Sequence, residues 1–280
     1  MAGGRDAVVS LRALAVLALA AGLAAPAGAE PPKRVVSMNL CTDQLAMALA
    51  APGQLISVSY LALDPRSSAM VEEARAYPTN RGRAEEIYLL KPDLVLAGSF
   101  GGPAVAMLHR LGVPVVEVAP PTSLTEARDA IAQVGAALGR SETAEAMIAD
   151  FDREVARLAR PAGPDAPTAA TWGANGYSIA GDTLAGDILR RAGFALVTDR
   201  LGMKTSGYVP LEVLVMAQPD LIVTGSPYPG ASRAEEVLDH PALERLEGHV
   251  LRVPDALWTC ALPRSLEALA MLSAEAQALR

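Results

Sequence analysis

Short apolar runs rich in β-branched residues alternate along the chain with segments whose apolar residues recur every three or four positions. Segment 124–138, with Leu124, Ala127, Ile131 and Val134 in such a stripe, is typical of a helix packed on one side. Alternating strands and helices predict an α/β fold with parallel sheets. The predicted strands are Val35–Met38, Leu55–Val58, Leu94–Ala97, Val115–Val118, Ala169–Trp172, Leu221–Thr224 and Val250–Val253.

One predicted helix, over residues 141–160, is longer than the others. Its apolar stripe is formed by Met147, Phe151, Val155 and Leu158, and the breaker Pro161-Ala162-Gly163-Pro164 follows it. Ser141 is placed to cap its start. About twenty helical residues span roughly 30 Å, the width of a lobe. We therefore predict an N-terminal lobe at 30–140, a lobe-joining helix at 141–160 and a C-terminal lobe at 161–280.

A motif occurs once in each half of the chain. Glu85 stands seven residues before the proline of Pro92–Gly98 (PDLVLAG), and Glu212 stands seven residues before the proline of Pro219–Gly225 (PDLIVTG). The proline ends a short helix, the apolar run forms a buried strand, and the glycine begins the loop at the strand's carboxyl end. Two copies at one spacing indicate two lobes of similar plan.

The N-terminal segment has the pattern of a secretory signal peptide. Arg5 and Arg12 precede the apolar stretch Leu14–Ala25, and Ala27-Gly28-Ala29 forms an A-x-A cleavage site. We expect cleavage after Ala29 and export to the periplasm. The first cysteine, Cys41, lies well beyond that site, so we expect no lipid anchor. No later run is long and apolar enough to span a membrane.

Composition and charge exclude several functions. The formal net charge is −7 with no basic run, which gives little reason to bind nucleic acid. Two cysteines allow at most one disulfide. The sequence contains no G-x-S-x-G, no G-x-G-x-x-G after a strand and no H-E-x-x-H, so we predict no catalytic residues and no cofactor.

The chain resembles the periplasmic binding proteins for iron-siderophores, haem and cobalamin that serve ABC importers. The resemblance rests on Arg34-Val35-Val36-Ser37, on Glu85 to Gly98, on the long helix and on Gly207–Glu212 (GYVPLE). It implies two similar lobes, each a mainly parallel sheet flanked by helices, joined by one long helix. It also implies a ligand held between the lobes and limited hinge movement.

The resemblance further implies that Glu85 and Glu212 dock, one per lobe, onto arginines of the permease. Two carboxylates on two rigid lobes would form a two-point register for a basic partner. The alternative is a pair of solvated glutamates favoured by the helix dipole. Glu86 is the neighbouring candidate if the register slips by one residue.

Ligands of parallel sheets bind beyond the carboxyl ends of the strands, which directs attention to the loops there. Aromatic residues make up only 4% of the chain, yet most fall in these loops. Flat rings suit a large, partly planar ligand such as a corrin, porphyrin or catecholate, although any single ring is equally consistent with the core. The predicted ligand-binding residues are Asn39, Cys41, Thr42, Tyr60, Asn80, Arg81, Phe100, Asn175, Tyr177, Tyr208, Trp258 and Cys260.

Three explanations of Cys41 and Cys260 remain open at this point: a disulfide, thiols that touch ligand or a soft metal, and separate burial as small apolar residues. By the resemblance both segments reach the cleft, so we predict that the two cysteines approach each other. Arg83 and Arg264, like Arg81, are candidates to bind ligand carboxylates or phosphate. The histidines His109, His240 and His249 fit no metal-ligand spacing.

The combined prediction is a monomeric periplasmic substrate-binding protein of an ABC transporter that captures cobalamin or an iron chelate and delivers it to the permease. Its partners would be a small-molecule ligand and the inner-membrane permease. Binding of a free metal ion is the first alternative, although few His, Asp and Glu residues lie in the loops. An exported α/β hydrolase is the second, because a fold does not determine a function.

Overall fold

The computed structural model describes residues 30–160, 162–226, 230, 232–243 and 249–280. The expected signal peptide and its cleavage site at Ala29 lie outside these residues. Among the described helices, none has the length and apolar character that crossing a membrane requires.

Five parallel strands form the first sheet, in the order β3-β2-β1-β4-β5. They are β1 Val35–Ser37, β2 Leu55–Ser59, β3 Thr79–Asn80, β4 Leu94–Gly98 and β5 Val115–Val118. The helices of this half are α1 Leu40–Leu49, α2 Val71–Ala74, α3 Ala84–Leu89, α4 Gly102–Arg110 and α5 Leu124–Ala137. β1 and β4 are buried along their whole length, as expected for strands covered on both faces.

A second parallel sheet has the order β11-β10-β6-β8, and β7 and β9 form a small antiparallel pair beside it. The strands are β6 Thr168–Thr171, β7 Tyr177–Ser178, β8 Ala195–Leu196, β9 Gly207–Tyr208, β10 Leu221–Thr224 and β11 His249–Arg252. The helices are α7 Leu184–Ala192, α8 Val197–Arg200, α9 Leu211–Ala217 and α10 Ser265–Ala278. The predicted class, two similar α/β lobes with mainly parallel sheets, is confirmed.

The long helix α6, Ser141–Leu158, lies between the two sheets in the chain. Met147 packs against the core of the first sheet, whereas Phe151 and Leu158 are buried in the core of the second. The helix therefore contributes to both cores. Our expectation that Ser141 caps it is wrong, because Ser141 is already its first helical residue. The N-cap position is Arg140, and in the described part of the chain no side-chain hydrogen bond caps the helix. Pro32–Arg280 form one compact unit, so the lobe boundaries remain a prediction.

The duplicated motif has the same conformation in both halves. The residue before each proline, Lys91 or Gln218, is left-handed, with φ of 50° and 43°. Proline disfavours the α region for the residue before it, so the helix ends there. Asp93 then accepts a hydrogen bond from the backbone just before β1, at 2.9 Å. Asp220 does the same with the N–H of Thr168, the first residue of β6, at 2.7 Å, and this bond lowers the pKa of Asp220. In each half, the proline thus ends the helix, and the aspartate bonds the start of the following strand to the start of the neighbouring strand.

Candidate functional site

Segments that follow strands of the two sheets meet in the fold. Cys41, just beyond β1, forms a disulfide with Cys260, in the segment that follows β11, with the Cα atoms 5.2 Å apart. Arg264 of the same segment forms an ion pair with Glu73 of α2 at 3.0 Å. The prediction that the two cysteines approach each other is confirmed. The disulfide replaces the other two explanations, free thiols at the ligand and separate burial.

A cavity of about 280 Å³ lies where these segments meet. Its wall on the first-sheet side is made by the start of α1 and by the loops after β4 and β5, including Phe100 and Pro120. Residues 259–262 close it from the other side. Most of the wall is apolar, so this cavity suits an apolar or ring-like part of a ligand better than a charged one.

Each motif glycine leaves room for a polar side chain that packs closely against it at the end of the strand. A Cβ on Gly98 would lie 2.8 Å from the side chain of Asn39, and a Cβ on Gly225 would lie 2.7 Å from the carboxylate of Asp255. Asn39 caps α1 by accepting a hydrogen bond from the N–H of Cys41 at 3.0 Å. Any larger residue would displace these side chains, so the glycines position the loops that line the cleft.

Exposed aromatic side chains lie in both halves of the fold. Tyr60 follows β2, and the Arg81 guanidinium lies 5.6 Å from its ring centroid, within cation–π range. Tyr177 and Tyr208 are opposite each other on β7 and β9, with ring centroids 5.6 Å apart in an edge-to-face arrangement. Together with the exposed Phe100, they offer ring surface from both sheets.

Asn175, also predicted as a ligand contact, is exposed in the loop between β6 and β7. It adopts the left-handed conformation with φ of 57°, which asparagine tolerates better than most residues. Its backbone N–H donates to the carbonyl of Ala234 at 2.6 Å, so the loop is held in place while the side chain stays accessible.

Four other predicted ligand contacts are buried, and their observed contacts lie within the fold. The Asn80 amide donates to Ser37 O, Ser57 Oγ and Val58 O at 2.8 to 3.0 Å, so it connects β1, β2 and β3 inside the sheet. The Thr42 hydroxyl bonds to Ser37 and to Asn39 O. Trp258 and Cys260 are core residues, because the segment that carries them packs inward. Thr42 nevertheless lines the cavity at the start of α1, and Cys260 is joined to Cys41 by the disulfide.

Two carboxyl groups at the edges were not predicted. Asp43 of α1 is buried, and this burial raises its pKa to about 6 against the hydrogen bonds from Ser59 and Ser37. Asp255 follows β11, and desolvation raises its pKa although Ser226 and Trp258 donate to it and Arg66 attracts it. An acid within the otherwise mostly apolar α1 was the signal available for Asp43, whereas nothing in the sequence distinguished Asp255.

The remaining candidates lie on the surface. Glu85 and Glu212 are exposed in the first turns of α3 and α9, and neither forms an ion pair in the described part of the chain. Arg83 is exposed, while Arg264 forms an ion pair with Glu73. Among the described residues, no three His, Cys, Asp or Glu side chains cluster as metal ligands would.

The three histidines have local roles. His249 is the first residue of β11 and lies 3.0 Å from Glu275 of α10. His109 lies in the last turn of α4, where a basic residue is favoured by the helix dipole. His240 accepts a hydrogen bond from the N–H of Ala242.

Comparison with known proteins extends this picture. The family model described as periplasmic binding protein matches residues 35–248. A cobalamin-binding protein of Halobacterium salinarum is 29% identical over 205 residues, covering 69% of this chain and 54% of that protein. A vitamin B12-binding protein of Pectobacterium carotovorum is 30% identical over 129 residues, 45% of this chain and 46% of that protein. The chain thus spans about half the length of the curated relatives it matches.

Solved structures share the fold. The periplasmic haem-binding protein of Roseiflexus in its apo form has a TM-score of 0.70 at 23% identity, covering 88% of this chain and 98% of that one. The periplasmic vitamin B12-binding protein of Vibrio cholerae has a TM-score of 0.65 at 19% identity, covering 89% and 98%. At these identities the likeness concerns the fold alone.

Proposed function

The chain belongs to the periplasmic binding protein family, and on that premise we propose that it captures a corrinoid or an iron chelate between its two sheets and delivers it to the permease of an ABC importer. Membership of this family supports a periplasmic location and a small-molecule ligand. The proposal adds the class of ligand, the residues that bind it and the partner that receives it.

The observation that carries the proposal is the exposed ring surface in both halves of the fold. Tyr60 and Phe100 belong to the first sheet, and Tyr177 and Tyr208 to the second. Exposed rings on a soluble protein leave large apolar areas in water, which a bulky flat ligand would cover. Two halves fastened by a disulfide keep these rings in place, so little conformational entropy is lost on binding.

Cobalamin is the ligand we favour within this class. The matched relatives from Halobacterium, Pectobacterium and Vibrio parahaemolyticus are named as cobalamin-binding or vitamin B12-binding proteins, at 29% to 33% identity. The solved haem-binding and vitamin B12-binding structures, at 23% and 19% identity, share the fold and do not distinguish the two ligands. We further propose that the protein binds its ligand without altering it.

The test is purification from the periplasm of a host supplied with cobalamin, haem and a ferric catecholate. Absorbance and mass spectra of the bound molecule identify it and reveal any chemical change, and calorimetry with each ligand then measures affinity. We expect Tyr177→Ala and Tyr208→Ala to weaken binding by about tenfold each. Tyr88→Ala, which removes a half-exposed ring on α3, is the matched control. If the protein bound none of the three ligands, the proposal would be refuted.

We propose that Glu85 and Glu212 dock onto the permease. Both are exposed, both stand in the first turn of equivalent helices, and neither has a cationic partner in the described residues. We expect the two carboxylates, one per lobe, to lie on the same face of the protein and far from the ligand.

Charge reversal tests this docking. Glu85→Lys combined with Glu212→Lys should abolish stimulation of the reconstituted importer and leave ligand affinity unchanged. Glu142→Lys with Glu145→Lys, two exposed positions on α6, changes the net charge equally and should have little effect. A loss of ligand affinity in the first variant would instead make the two glutamates cleft residues.

The proposed mature protein begins at Glu30, after cleavage at Ala29, and is a monomer free in the periplasm. Sequencing the N-terminus of protein recovered by osmotic shock and measuring its mass in solution test these three points together. A protein retained in the membrane fraction, or a different first residue, would contradict the proposed processing.

A further inference from the structure

The helices that carry Glu85 and Glu212 share a second surface feature. Four residues after each glutamate stands a large apolar side chain that water reaches almost completely: Leu89 is 77% exposed and Met216 is 83% exposed. The residues two positions after each glutamate, Ile87 and Leu214, are fully buried and fasten the helices to their cores. The two helices therefore present corresponding outer faces.

The spacing places each apolar side chain beside its carboxylate. Residues at i and i+4 lie on one face of a helix, one above the other. Single exposed apolar residues are common on protein surfaces and need no explanation. Here, however, a carboxylate with no ion-pair partner among the described residues and an exposed apolar side chain stand together at the same motif position in both halves of the chain.

We propose that Leu89 and Met216 are apolar anchors of the docking surface, each of which fills a hollow beside the basic group that meets Glu85 or Glu212. This inference rests on the proposed docking role of the glutamates. The partner that fits is a permease surface with two equivalent basic groups, each flanked by an apolar recess. The charges steer and orient the complex, whereas the apolar side chains slow its dissociation once water is excluded.

The experiment compares variants in binding to the purified importer in lipid nanodiscs, at low and high salt. Leu89→Ser with Met216→Ser should weaken importer binding by about tenfold or more, mainly through faster dissociation. Its salt dependence should stay that of the unsubstituted protein, because both carboxylates remain. Leu89→Met with Met216→Leu should keep the affinity. Val250→Ser, at a 61% exposed position on the edge strand β11, is the surface control.

The outcomes separate this inference from the proposed function. If charge reversal at the glutamates abolishes importer binding but the serine variant binds normally, the anchors are wrong and the docking role stands. If neither variant changes importer binding, the docking role itself fails. If the serine variant loses thermal stability or ligand affinity along with importer binding, the two side chains act within the fold, and the inference is overturned.

Discussion

Replacing both cysteines, as Cys41→Ala with Cys260→Ala, removes the covalent link between the two sheet edges. The segment that carries Cys260 lies against the first-sheet core, where Cys260 and Leu262 are buried. The ion pair between Arg264 and Glu73, which also connects this segment to that half, is partly exposed and contributes at most about 1 kcal/mol. The disulfide is therefore the strongest bond that holds the segment in place.

The size of the effect follows from the length of the loop that the disulfide closes. The two cysteines are separated by 219 residues, and the loop-entropy relation assigns such a closure about 5 kcal/mol of folding free energy. Measured disulfide contributions are commonly lower, because the reduced chain keeps residual structure. We expect the double variant to lose roughly 2–5 kcal/mol, which lowers the melting temperature by roughly 5–20 °C for a chain of this size.

Denaturant unfolding with and without reductant measures the loss. The unsubstituted protein should become less stable on reduction and approach the double variant, while the double variant should be indifferent to reductant. A thiol reagent should label no cysteine before reduction and two afterwards. Two reactive thiols in the unreduced protein would show that the bridge is absent. Equal unfolding midpoints for oxidised protein and double variant would show that the link contributes nothing to stability.

Three further predictions concern single groups and the lobes. Folding raises the pKa of Asp43 from 3.8 to about 6, so the folded protein binds this proton more tightly than the unfolded chain. The free energy of unfolding should therefore fall by at most roughly 3 kcal/mol as the pH rises from 3.8 to about 6, and denaturant unfolding of Asp43→Asn should lack this fall. Asn80→Ala should cost roughly 2–4 kcal/mol in the same assay and leave the ligand Kd unchanged, whereas weaker binding at full stability would make Asn80 a ligand contact. Because α6 contributes to both cores, solution scattering curves with and without ligand should nearly superimpose, and a large closure would contradict this.

Local patterns in the sequence were sufficient for the class and for seven of the strands, whereas the two-residue strands β3, β7, β8 and β9 were not predicted. The predicted strands Val115–Val118 and Leu221–Thr224 agree with β5 and β10 to the residue, and the other predicted strands shift by one residue or less at their ends. A strand covered on both faces needs a continuous apolar run, so its position is visible in the sequence alone. The repeated glutamate motif likewise predicted two similar halves, because two copies at one spacing are visible in the sequence.

Only the tertiary structure decided which loop residues are accessible and which distant residues meet. Tyr60 and Asn80 both occupy carboxyl ends of strands, yet the ring is exposed and the amide is buried under three hydrogen bonds. Exposure depends on which segments pack nearby, and these segments come from remote parts of the chain. For the same reason the pairing of Cys41 with Cys260 and the raised pKa of Asp43 follow from the packed fold, since both depend on neighbours that local sequence patterns do not specify.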